Sequence, residues 1–144
     1  MSFTDEEIAY LRSQPIARLA TLSSDGEQPD VVPVGLEFDG TFFWVGVVGP
    51  AGLGTRKIRN VMAGNQKVAI VVDDLVSFDP FIARCIRVYG LAEPPVERVG
   101  MVGPGMYMRI TPTLSWSWNM AGEPAPDDAW YEPRRTVHQI PTRA

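Results

Sequence analysis

Two tight turns between segments of alternating polarity constrain this chain more than any other feature. Ile16-Ala17-Arg18-Leu19-Ala20-Thr21-Leu22 has a period of two and runs into Ser24-Asp25-Gly26, a hairpin signal. Asp30–Phe38 follows as a Val-rich strand with one proline, Pro33, which implies a bulge or an edge position. Asp39-Gly40 turns the chain again, into Thr41-Phe42-Phe43-Trp44-Val45-Gly46-Val47-Val48. Three strands joined by two tight turns make an antiparallel meander.

The flanking segments extend this pattern. Thr4-Asp5-Glu6-Glu7 is a capping box, and the helix it starts carries Ile8 and Leu11 on one face and stops before Pro15. Gly49–Gly54 reads as a loop leading to a short helix from Thr55, which ends near Gly64 as its C′ residue. Lys67–Asp73 and Ile82–Ala92 read as strands parted by Asp79-Pro80. Glu93-Pro94-Pro95 ends the second, and the Gly/Pro-rich stretch up to Gly105 carries no element signal. Met106–Thr111 and Leu114–Trp118 read as two last strands kinked apart at Pro112. From Ala121 onward Pro, Asp and Glu dominate. Residues 1–120 are therefore expected to form one domain, with 121–144 a mobile or partner-bound arm and no second domain. Six or seven strands with one helix midway predict a mainly β fold, a small antiparallel barrel.

Composition excludes several classes of function. The 144 residues carry a net charge of -4, so an extended basic face for nucleic acid is not expected. No apolar run approaches the ~20 residues that span a bilayer. The Met1–Asp5 start lacks a signal peptide's basic and apolar regions, and a cytoplasmic protein is expected. One cysteine, Cys85, and one histidine, His138, lie far apart, which leaves no metal site and no nucleophile pair in view. Cys85 reads as core.

One local feature runs against the acidic whole. In Thr55-Arg56-Lys57-Ile58-Arg59-Asn60-Val61, three cations crowd a helix start, where unpaired N–H groups already carry partial positive charge. Each costs that helix about 0.3–1 kcal/mol. A docked anion reverses the sign, because the N–H groups, the Thr55 hydroxyl and the cations then all serve it. The segment reads either as a solvated basic patch or as a phosphate site. In so acidic a chain we take it as a phosphate site.

The motifs in order resemble a known family. Ala17–Leu22, the Asp25-Gly26 turn and Pro29-x-x-x-Pro33-Val34 resemble the opening of the pyridoxamine-phosphate-oxidase-like split barrels. Thr55–Val61 resembles the signature of the branch that uses the deazaflavin coenzyme F420. Val68–Leu75 with Asp79-Pro80, then Val88-Tyr89-Gly90-x-Ala92, then Arg109-Ile110-Thr111-Pro112 with Ser115-Trp116 are similar to the same branch.

This resemblance implies a six-stranded antiparallel split β-barrel (the FMN-binding split barrel) with short helices, a homodimer, and cofactor sites at the dimer interface. It implies that Thr55, Arg56, Lys57, Arg59 and Asn60 meet the cofactor's phosphate and tail, and that Val32, Pro33 and Val34 lie along its ring. It also implies that Trp116 closes the pocket, from the partner subunit. Three departures stand out: Asp30 occupies a place often held by His, the Gly49–Gly54 loop is Gly-rich, and the usual helix is reduced to Pro94–Gly105.

The expected activity is an F420-dependent oxidoreductase passing a hydride to an unsaturated or conjugated small molecule. The alternatives are an FMN enzyme of pyridoxamine-phosphate-oxidase type and a non-catalytic carrier of F420 or a lipid-like ligand. No catalytic acid is identified. For the other prominent side chains the plain readings are core or dimer contact for Phe42, Phe43 and Trp44, with Phe43 facing opposite its neighbours. Tyr89 reads as core, Asp73 and Asp74 as a solvated pair at a strand end, and Arg109 as a surface cation. Trp116 and Trp118 share one face of their strand and either could pack inside.

Overall fold

In the computed structural model, which describes residues 2–47 and 52–141, the sheet closes because of a chain connection. Its strands are β1 (Ile16–Leu22), β2 (Pro29–Gly35), β3 (Glu37–Phe38), β4 (Phe43–Val47), β5 (Lys67–Ser77), β6 (Ile82–Ala92), β7 (Val96–Gly100), β8 (Gly103–Trp118) and β9 (Pro133–Val137). All pairs are antiparallel, in the order β2-β1-β5-β6-β8-β4-β3, with β7 and β9 also on β8. The two ends of that path, β2 and β3, are separated in sequence only by Leu36. A sheet whose first and last strands are consecutive in the chain has to curl until they meet.

The expected strand 30–38 is thus two strands. Its first half pairs with β1, its second with β4, and the bend at Leu36 makes that change of partner. Nine strands stand where six were expected, because of this split and because β7 and β9 add to the two sides of β8. The predicted kink at Pro112 does not part β8. It stays one strand, and the irregularity is taken up as a register shift opposite Tyr89 and Gly90.

Alternation fills the interior as a half-buried barrel requires. Leu19, Ile70, Val72, Ile86, Val88, Phe43, Val45, Met108 and Ile110 point inward and are almost wholly buried. Helix α1 (Asp5–Ser13) begins with the predicted capping box, Thr4 N–H donating to Glu7 Oε1 at 2.9 Å and Glu7 N–H to Thr4 Oγ1 at 3.1 Å. It brings Tyr10, Leu11 and the preceding Phe3 to the core, where Phe3 packs edge-on to Phe38 and Phe43. Helix α2 (Arg56–Met62) contributes Ile58 and Val61. It ends before Gly64 at φ 107°, the left-handed residue expected there. No helix among the described residues is long and apolar enough to cross a membrane.

Four expectations are corrected. Residues 121–141 are docked on the barrel: β9 pairs with Leu114–Trp118, Ala125 N–H donates to Phe81 O at 2.8 Å, and the Tyr131 hydroxyl donates to Glu123 O at 2.9 Å. The Pro-rich composition hid a strand of five residues whose inward Thr136 is fully buried. Asp73 and Asp74 lie within β5, which runs on to Ser77. Asp73 pairs with Arg18, and Asp74 takes two bonds from Arg84, at 3.1 and 2.7 Å, and one from the Tyr10 hydroxyl at 2.6 Å. Arg109 is held by Glu93 at 2.9 and 2.8 Å with its guanidinium over Phe42. Tyr89 is exposed, on the outer face with Trp116 and Trp118, while Ser115 and Ser117 take the inner face.

Candidate functional site

The cation segment forms the predicted short helix, and its start is built without a cap. Thr55 is the N-cap with extended backbone, yet its side chain bonds none of the helix N–H groups; the hydroxyl donates to Gly52 O at 2.8 Å. The first turn contains no acid. Arg56, Lys57 and Arg59 make no ion pair among the described residues, and Lys57 Nζ has one long bond, 3.4 Å, to Thr55 Oγ1. Helix N–H groups without a side-chain cap, next to cations without an ion pair, are the donors and charges that an anion would use.

Two clefts flank this helix. One, of ≈ 250 Å³, is lined by Pro33, Val34 and Gly35 of β2, Gly46 and Val47 of β4, and Gly52, Thr55 and Lys57. The other, of ≈ 290 Å³, is lined by Ser23, Ser24, Arg56, Arg59, Asn60 and Ala63. Thr55 and Lys57 therefore face the first, and Arg56 and Arg59 the second. β2 is the edge of the sheet path, which accounts for Pro33: a residue without an N–H is tolerated where no strand pairs on one side.

The site residues expected along the ring divide by parity. Pro33 points outward and is exposed, whereas Val34 is buried and Val32 packs against the core. Val34 nonetheless lines the first cleft beside Pro33, whereas Val32 does not. Asn60 is also largely structural. It is buried, and its Nδ2 donates to Thr21 Oγ1 of β1 at 3.0 Å, tying α2 to the barrel. Trp116 lies apart from both clefts. It stacks with the Arg87 guanidinium at 4.0 Å and the Tyr89 ring at 5.0 Å on the outer sheet face.

Sequence reading missed the strand residues of the first cleft, Gly35, Gly46 and Val47, and the turn residues Ser23 and Ser24 of the second. Gly46 carried a signal: a glycine within an aromatic strand marks a close approach. The Gly49–Ala51 part of the predicted loop and the Val48 end of the third strand lie outside the described residues.

Neither Cys85 nor His138 is among the described residues that line the clefts. Burial raises the Cys85 thiol to about 11, so it is not a thiolate nucleophile. Burial lowers His138, which bonds Ser115 in the interior and lines neither cleft. Lys57 is the one titratable side chain among the described residues of the first cleft. No group of His, Cys, Asp and Glu suited to a metal occurs among the described residues. A larger hollow of ≈ 550 Å³, lined by Phe3, Phe38, Pro112 and His138 among others, has no Lys or Arg among its described lining residues.

Residues 3–101 match the family described as pyridoxamine 5'-phosphate oxidase. The chain belongs to that family. It is 43% identical over 127 residues to a 5a,11a-dehydrotetracycline/5a,11a-dehydrooxytetracycline reductase of Streptomyces rimosus, covering 85% of this chain and 87% of that one. Among solved structures, a conserved hypothetical protein from Mycobacterium tuberculosis superposes with a TM-score of 0.63 at 22% identity, over 88% of this chain and 92% of its own. A protein described as an F420 reductase superposes at 0.55, again at 22% identity, over 73% and 92%. Those two establish the split-barrel fold that this member of the family shares.

Proposed function

We propose that this oxidoreductase uses coenzyme F420 to reduce an unsaturated, conjugated small molecule. The observation that carries the reading is the uncapped start of α2, with Arg56, Lys57 and Arg59 lacking counter-ions between two clefts. A single phosphate does not need three cations divided between two clefts, whereas a phosphate followed by an acidic oligoglutamate tail does. The 43% identity to a dehydrotetracycline reductase supports a conjugated substrate.

In this reading Lys57 and Thr55 hold the phosphate at the first cleft, and Arg56 and Arg59 hold the acidic tail at the second. The edge of β2 at Val32, Pro33 and Val34 supports the ring. When bound and reduced, a deazaflavin supplies a hydride. The chain's task is to fix the ring with one face open and to exclude water from it. Pro33, Gly35, Gly46 and Val47 present such an apolar, close-approach surface. The proton that completes reduction comes from solvent or from the substrate, since neither His138 nor Cys85 reaches the cleft.

The same reading makes the protein a homodimer. The outer face of β6 and β8 presents Arg87, Tyr89, Trp116 and Trp118, and Arg87 stacks on the three rings without an ion pair among the described residues. A second copy covering this face by a two-fold axis would bring Trp116 to the partner's cofactor cleft. Light scattering at low micromolar concentration tests the dimer. Absorbance titration with F420, followed by NADPH-free turnover of 5a,11a-dehydrooxytetracycline with reduced F420, tests the activity. Absence of F420 binding refutes it.

A further inference from the structure

The β7–β8 hairpin carries apolar side chains at its tip that the core does not use. Val99, Met101 and Val102 are 74%, 48% and 57% exposed, an unusual concentration for a four-residue stretch of a turn. The turn is nonetheless firmly held. Arg98 donates to both oxygens of Glu37 in β3, at 3.0 and 2.9 Å, and stacks over Trp44 at 4.2 Å. Met101 N–H donates to Glu37 Oε1 at 2.9 Å, and Val102 N–H to the Tyr107 hydroxyl at 3.1 Å. Apolar groups exposed on a loose loop need no explanation, but a clamp on the Met101 and Val102 backbone N–H groups fixes where those two side chains point.

Met101 and Val102 lie against two of the glycines that line the first cleft. A Cβ on Gly35 would come within 2.9 Å of Met101 Cε, and one on Gly46 within 2.9 Å of Val102 Cγ2. These are the same two glycines that line the cleft beside Lys57. Their missing side chains let the hairpin tip descend onto the rim of the cleft. The cleft thus has Lys57 on one side, at α2, and Met101 and Val102 against its glycines.

We propose that Met101 and Val102 form the apolar wall against which a fused-ring, conjugated substrate lies in this cleft, and so determine its preference for extended ring systems. The proposal rests on the reading of this cleft as the cofactor site. It needs an occupant with a broad apolar face, because the wall offers two aliphatic side chains and no free polar group. Methionine and valine side by side favour shape-tolerant contact with such a face over directional recognition. The tetracyclic skeleton named for the Streptomyces relative has this character.

The test is fluorescence anisotropy of oxytetracycline titrated with the full-length protein, F420-loaded and F420-free, for the wild type and for Met101→Ala/Val102→Ala. A parallel F420 titration and light scattering are run on both proteins. The wall predicts that oxytetracycline binding weakens about tenfold in the double variant, the effect of losing two apolar contacts. F420 affinity and the oligomeric state should stay unchanged. Equal oxytetracycline affinity in the two proteins overturns the proposal, and so does a wild type that binds none. A parallel fall in F420 affinity overturns it by assigning the tip to the cofactor, and a change of oligomeric state by assigning it to a subunit contact. If F420 does not bind but the oxytetracycline difference holds, the cofactor reading fails and the wall stands.

Discussion

Ser115 Oγ and His138 Nε2 lie 2.7 Å apart in the interior, joining the middle of β8 to the residue just after β9. Both side chains are buried, the Phe3 ring is tilted against the imidazole at 4.4 Å, and His138 N–H donates to Thr113 O at 2.9 Å. This is the fastening of the C-terminal segment. Close by, Arg134 donates to Glu7 Oε1 at 3.1 Å and to Thr136 Oγ1 at 2.7 Å, linking β9 to α1.

This fastening is sensitive to acid. Burial holds His138 below its ordinary value, Glu7 acts against that shift, and the N-terminus and Arg134 act with it. The unfolded chain therefore takes up this proton first, and stability falls as pH drops through about 6.5. Above that the imidazole is neutral in both states and the effect vanishes. Thermal melts of the wild type between about pH 7.5 and about pH 5.5 should show a decline that His138→Gln flattens. Parallel slopes would remove His138 as the cause. A separate loss belongs to lower pH, where Glu37, held low by Arg98, and Asp74, held low by Arg84, become protonated.

Truncation after Met120 should not release a spare arm. It strips β9 from β8 and leaves Ser115 and Ser117 without their cover. We expect a chain that is largely insoluble or that loses its cooperative melt by circular dichroism. A truncated protein melting at the full-length temperature would contradict the docked segment.

Local signals were legible where they depended on neighbours in sequence. The capping box at Thr4, the glycine turns at Gly26 and Gly40, the C′ residue Gly64 and the β6 limits are all set by short-range chemistry. What escaped depends on partners remote in the chain. Leu36 splits a strand because the pairing changes from β1 to β4, and β9 exists because β8 offers it an edge. The inward placement of Ser115 depends on a partner, His138, that lies 23 residues away. At the site, the cations of α2 could be read directly from their clash with the helix start. Gly35 and the hairpin tip could not, since their meaning is a tertiary approach.

Asn60→Ala and Lys57→Ala should separate structure from binding. Asn60 lies buried against Thr21, so its loss leaves a hydroxyl without its donor and costs about 1–3 kcal/mol of stability. Chemical denaturation measures it, and an unchanged midpoint would make Asn60 a binding residue alone.

Lys57→Ala should leave the midpoint nearly unmoved, or raise it slightly, because a cation leaves an unfavourable helix start. F420 affinity should fall by about 1.5–3 kcal/mol, the range for a hydrogen bond to a charged group. A variant that unfolds while keeping its affinity per folded molecule would make Lys57 structural.

Trp116→Ala tests the proposed contribution of this residue across a two-fold interface. It stacks on Arg87 and Tyr89 and lines neither cleft of its own chain. F420 affinity should drop while light scattering still reports a dimer. Full affinity in the variant would place Trp116 outside the cofactor site.

The most direct test of the central claim is calorimetric titration of the purified protein with F420 and, separately, with FMN. Arg56 and Arg59 line a cleft distinct from that of Lys57, and the proposed reading gives the acidic tail to the former and the phosphate to the latter. F420 should bind the more tightly, and raising the salt concentration should narrow the gap as the tail contacts are screened. FMN binding as tightly as F420, or more so, would contradict the assignment.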